Sequence, residues 1–136
     1  MSIAYEVLKY LETKNIGQEN VDLFVGFEPE NPINCITFFD EQATTPPETS
    51  CLAVDMFGMQ VIVRNSNYFT CSQKIKEINK KIVGFGGRSL IDGGDIVSYI
   101  TVETAPFSLG KDSKGNNQWS AHYNIRVKSE LDDFRL

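Results

Sequence analysis

The chain has 136 residues, a length that one hydrophobic core can serve, so residues 1–136 read as a single domain needing neither disulfide nor metal to hold together. Thirteen Lys and Arg against 18 Asp and Glu give a net charge of −5, the wrong sign for gripping nucleic-acid phosphates over a broad face. Cys35, Cys51 and Cys71 are too widely spaced for a zinc site and odd in number for a secreted disulfide framework. With no charged leader before an apolar run and no stretch near the about 20 apolar residues of a bilayer span, the expectation is a protein of a reducing cytoplasm, neither exported nor membrane-embedded.

Ser2 is placed to cap a helix in which Ile3, Val7, Leu8 and Leu11 form one apolar stripe, and Gly17 is the expected stop. Leu23 to Phe27 and Cys35 to Phe39 are short runs rich in β-branched and aromatic residues. Glu28-Pro29-Glu30-Asn31-Pro32 divides them, and its two prolines forbid a continuous ladder, so the unit reads strand, turn, strand. Asp40 to Ser50, with Pro46-Pro47 and few apolar residues, is expected to be a long loop.

Met59, Val61 and Val63 alternate with Gln60 and Arg64 at period two, which marks a strand with two unlike faces. The period then changes. From Cys71 the apolar positions are Ile75, Ile78 and Ile82, steps of four, three and four, and between them lie Lys74, Lys76, Glu77, Lys80 and Lys81. This predicts an amphipathic helix from Tyr68 to Val83 ended by Gly84 in the left-handed conformation, its lysines reading as a solvated face. Gly84, Gly86, Gly87, Gly93 and Gly94 read as a flexible crossing. Ile96 to Glu103 is expected as a buried strand closed by Pro106. A polar turn at Lys111 to Asn116 then leads into a last strand with Trp119, Ala121, Tyr123, Ile125 and Val127 on one face, and His122, Asn124, Arg126 and Lys128 on the other. The fold class is α+β: a mostly antiparallel or mixed sheet with the N-terminal and central helices packed on one side.

Groups that carry chemistry are scarce. The sole histidine, His122, sits mid-strand with no nucleophile motif around any Ser or Cys. Gly110-Lys111 fails the phosphate-loop pattern because Ala105 stands where glycine is required and Asp112 where Ser or Thr is required. Gly84-Phe85-Gly86-Gly87 precedes no predicted helix, so it offers no helix N-terminus to a dinucleotide. Asp92 and Asp95 lack the alternating oxygen ligands of a calcium loop, and Glu28 with Glu30, or Asp132 with Asp133, read as solvated charges. No catalytic residue, metal ligand or cofactor is expected.

Taken as a whole, the pattern resembles the minor capsid or tail terminator family of long-tailed bacteriophages. The pieces that carry the resemblance are Pro32-Ile33-Asn34-Cys35-Ile36-Thr37-Phe38-Phe39-Asp40, then Pro46-Pro47, then Gln60-Val61-Ile62-Val63-Arg64, Tyr68, and a helix closing on Gly84. Where many relatives carry Gly-Gly before the two prolines, this chain has Ala43-Thr44-Thr45.

The resemblance implies a small α+β subunit, made in the bacterial cytoplasm, that forms a homo-oligomeric ring, usually a hexamer, at the head-proximal end of the tail tube. The implied partners are the tail tube protein and a head completion protein, and genomic DNA passes through without specific binding. Another head-to-tail joining protein, a stopper or minor capsid protein, is the alternative. Contacts with neighbours are expected from Arg64, from the loop bearing Pro46 and Pro47, and from the turn bearing Phe107, Lys111, Asp112 and Lys114.

Overall fold

The computed structural model describes residues 2–42 and 54–128. The first helix, α1, spans Ile3–Thr13, and Ser2 caps it as expected, its hydroxyl accepting from the Tyr5 N–H at 3.1 Å. A second cap comes from outside the helix: the Asp40 carboxylate accepts from the Ala4 N–H at 2.9 Å and from the Ser2 hydroxyl. A carboxylate there also meets the positive end of the helix dipole. Ile3, Val7, Leu8 and Leu11 are buried, and Ala4, Glu6 and Tyr10 widen the stripe.

The stop is not Gly17. Asn15 takes the left-handed conformation, φ 62°, while Gly17 serves a close approach, since a Cβ there would lie 2.6 Å from Asp22 Oδ1.

Strands β1 (Leu23–Val25) and β2 (Cys35–Glu41) run parallel, with Phe24 opposite Thr37. Parallel neighbours ordinarily need a crossover of about a dozen residues or more. A three-residue strand is only about 10 Å long, so the segment 26–34 can return the chain to β1's starting level. β2 continues past Phe39, and Asp40 and Glu41 belong to its ladder rather than to a loop.

β3 (Val54–Asn65) pairs antiparallel with β2 on one side and with β6 (Asn117–Lys128) on the other. Asn67 caps α2 (Tyr68–Ile82) by accepting from the Thr70 N–H at 2.9 Å. Cys71, Ile75, Ile78 and Ile82 are fully buried, as their spacing predicts, and Gly84 is left-handed at φ 88°.

The glycine-rich crossing is pinned rather than loose. Arg88–Ser89 form a short strand, β4, against Ile96 and Val97 of β5 (Ile96–Lys111). Upstream, Gly84 N–H donates to Ile100 O, Ile100 N–H donates to Phe85 O, and Gly87 N–H donates to Val97 O at 2.7 Å. A Cβ on Gly86 would lie 2.2 Å from Ser98 O, so this glycine lets two backbones touch.

Pro106 does not close β5. The strand runs through it, and between the pairs Thr104↔His122 and Phe107↔Ser120 it advances three residues while β6 advances two. Proline fits there because a bulge has already broken the ladder.

The sheet order is β1-β2-β3-β6-β5-β4, a mixed and curled six-stranded sheet with both helices on one face, in agreement with the α+β expectation. α1 lies over β1 to β3, and α2 over β3, β6 and β5. Between helices and sheet the core joins Val7, Leu8 and Leu11 of α1 and the α2 stripe to Phe38, Val61, Ala121, Tyr123 and Ile125. Tyr123 donates its hydroxyl to Asn79 Oδ1 of α2 at 2.8 Å, so the largest core side chain is also satisfied. No helix among the described residues is long and apolar enough to cross a membrane.

Glu6 is one exception inside this core. It is buried on α1, and its Oε1 has no hydrogen-bond partner. Burial, and secondarily the charge of Asp95, raises its pKa above 4.5. The neutral acid is therefore the form the folded state favours, and the stability it preserves is lost as pH rises above about 4.5 through the raised value. Chemical denaturation of wild type and Glu6→Gln should give similar stabilities at acid pH and a growing advantage for Glu6→Gln towards neutral pH. Parallel curves across that range would contradict the burial argument.

Candidate interaction surfaces

Arg64 ends the central strand and is buried at the level of the 26–34 loop. Its Nε donates to Ile33 O at 2.8 Å, Nη1 meets Glu28 Oε1 at 3.2 Å, and Nη2 donates to Pro32 O at 2.9 Å and to Pro29 O. Arginine suits this place because its planar fork fills several acceptors at once. Glu28 is held from the far side by Gln118 Nε2, which donates to both carboxylate oxygens at 2.9 and 3.0 Å. The adjoining Asn34 side chain accepts from the Ser66 N–H at 3.0 Å. Within the subunit Arg64 bolts the loop that carries exposed Phe27 and Ile33.

The turn between β5 and β6 is equally well built. Asp112 Oδ1 accepts from the Lys114 and Asn116 N–H groups at 2.9 Å each, and these backbone donors hold its carboxyl below the usual carboxylate range. Gly115 takes φ 81° and donates its N–H to Asp112 O. Lys114 reaches across to Glu30 at 2.8 Å, an exposed pair that ties the turn to the loop Arg64 anchors. The structure therefore brings Arg64, Asp112 and Lys114 to one end of the sheet. Lys111 is exposed beside them.

Phe107 lies apart, on the sheet face away from the helices, stacked on His122 at 6.5 Å between centroids. His122 Nδ1 lies 2.7 Å from Glu41 Oε1, so its surroundings are a ring and a carboxylate. Pro46 and Pro47 lie outside the described residues.

Two of the cysteines are buried, which makes them poor thiolates: burial raises the Cys35 thiol and pushes Cys71, on the buried face of α2, to about 11. Cys71 Sγ donates instead to Val63 O at 3.1 Å.

Two surfaces extend beyond the sequence reading, which has Phe107 alone among their residues as a contact. From Thr101 to Lys111, β5 pairs with β6 on one side and has no strand on the other among the described residues, while Val102, Phe107 and Leu109 are exposed. Its only acidic or basic side chain between Thr101 and Gly110 is Glu103. At the start of α2, Phe69 is 73% exposed and Tyr68 45%, with Tyr68 edge-on to Trp119 at 5.8 Å. The signal for the first was available in Val102, Phe107 and Leu109, but a strand ending at Pro106 hides it.

A family model described as Bacteriophage tail terminator protein matches residues 10–129. That stretch runs from the last turn of α1 to one residue past β6 and includes the Arg64 cluster, the β5–β6 turn and the open β5 edge. No curated protein matches the chain.

Proposed function

The chain belongs to the bacteriophage tail terminator family, and on that premise we propose that it closes the tail tube at its head-proximal end as a ring of identical subunits, six by analogy with the resemblance. As a member of that family it is a structural protein of the phage tail, with its place in the virion. The observation that carries the finer reading is the open edge of β5 with Val102, Phe107 and Leu109 exposed on it, a surface that favours being covered by another chain. Capping a tube requires surface recognition and no bond-making group, which suits a chain whose only histidine is occupied by Glu41 and Phe107.

In this role one ring surface meets the last tail tube ring and the other meets the head completion protein. Six copies at −5 each would carry −30, a field that discourages phosphates from adhering while DNA passes. Phage lacking the protein should yield filled heads and separate tubes, many longer than normal, and purified protein added before overgrowth should restore joining. Tails of normal length in its absence would favour the alternative, a joining protein on the head side. Electron microscopy of the purified protein should show a ring with a central hole.

A further inference from the structure

Glu6 carries a carboxylate from α1 into the core, and what covers it is a short piece of backbone. The residue is 4% exposed, and its Oε1 has no hydrogen-bond partner. Gly94 packs directly on that oxygen, since a Cβ there would stand 2.6 Å from it. The next residue, Asp95, is partly buried, and its charge acts on Glu6. Two carboxylates therefore face each other where residues 89–96 cross α1. The other charges leave the conflict standing. Lys9 of α1 is held by Glu12 and Glu19, Asp40 of β2 is taken by Ser2 and the Ala4 N–H, and Asp92 is exposed. The N-terminal amine favours the charged form, but less than burial and Asp95 oppose it.

The crossing segment is lightly attached. Its only strand pairing is that of β4, two residues long, with Ile96 and Val97. Its other bonds close on itself: the Ser89 hydroxyl donates to Gly94 O at 2.8 Å, and Gly94 N–H donates to Ile91 O at 3.1 Å. Such a piece can move as a unit. Leu90 is the side chain it contributes to the core, and Leu90 and Ile91 share a cleft with Tyr10 of α1.

We propose that residues 89–96 form a proton-controlled strap, closed over α1 while Glu6 is neutral and released when Glu6 ionises beside Asp95. A neutral acid can sit in this place at small cost, whereas a carboxylate there needs water or a cation, and lifting the strap admits water. Burial and Asp95 raise the Glu6 pKa in the closed strap, while in the released strap it returns towards 4.5. Closure is thus fully supported below about 4.5 and weakens as pH rises through the raised value. Release withdraws Leu90 and uncovers apolar surface beside Tyr10, so this part of the subunit presents at neutral pH a surface that it hides in acid. The device does not depend on the ring reading.

Amide exchange on the full-length protein, read as protection factors between about pH 4 and pH 7, tests this. In wild type the protection of residues 89–96 should fall by up to about tenfold per pH unit, the slope of one proton, and then level off. Protection of α2 from Cys71 to Ile82 should stay constant over the same range. A dye that fluoresces on apolar surface should brighten as the strap opens. Glu6→Gln, which keeps the shape and cannot ionise, should hold the strap closed throughout. Asp95→Asn removes the opposing charge, so its protection should level off at lower pH than in wild type. Flat protection in wild type, an equal fall in Glu6→Gln, or a fall shared by α2 would overturn the proposal.

Discussion

Arg64→Ala should destabilise the fold by about 3–5 kcal/mol, the cost of breaking a buried ion pair by removing one partner. The argument rests on what is left behind. Glu28 loses its cation, and the carbonyls of Pro29, Pro32 and Ile33 lose their donor. Arg64→Lys should recover little, because a single ammonium on a flexible stem cannot reach acceptors spread over Glu28 to Ile33. Denaturant unfolding gives the stability, and hydrogen exchange at residues 28–35 should show that loop opening first. Loss below about 1 kcal/mol would place Arg64 in the class of exposed salt bridges and return it to the surface as a contact residue.

Ile78→Ala should cost about 2–5 kcal/mol, because Ile78 is fully buried between α2 and the sheet and its truncation leaves a cavity. Lys80→Ala, two positions on and facing solvent, should change stability by less than about 0.5 kcal/mol. The contrast between neighbours is the measurement, since it depends on helical phase alone. Similar losses at both sites would mean that α2 is rotated from its assigned face.

The sequence by itself determined the elements whose evidence is a local period. Steps of four, three and four from Cys71 to Ile82 fix a helical face wherever that helix docks. Alternation from Met59 to Arg64 and from Trp119 to Val127 likewise fixes which side chains share a sheet face. Caps at Ser2 and the stop at Gly84 were legible for the same reason, since capping bonds span three or four residues. The resemblance carried in Pro32 to Asp40 and Gln60 to Arg64 pointed to the family that the match over residues 10–129 then showed.

Everything that depends on a partner distant in sequence was decided only by the tertiary structure. Pro106 stops a ladder in general, yet a bulge opposite His122 and Ser120 accommodates it and exposes the longest edge of the sheet. Gly86 looks like a flexible joint until Ser98 O is found where its side chain would be. Arg64 ends a strand as any surface charge would, and the carbonyls that claim it lie more than thirty residues away. The physical reason is common to all three: propensity and period are properties of a few consecutive residues, whereas strand pairing, close approach and burial of a charge are set by which remote surfaces the whole core brings together.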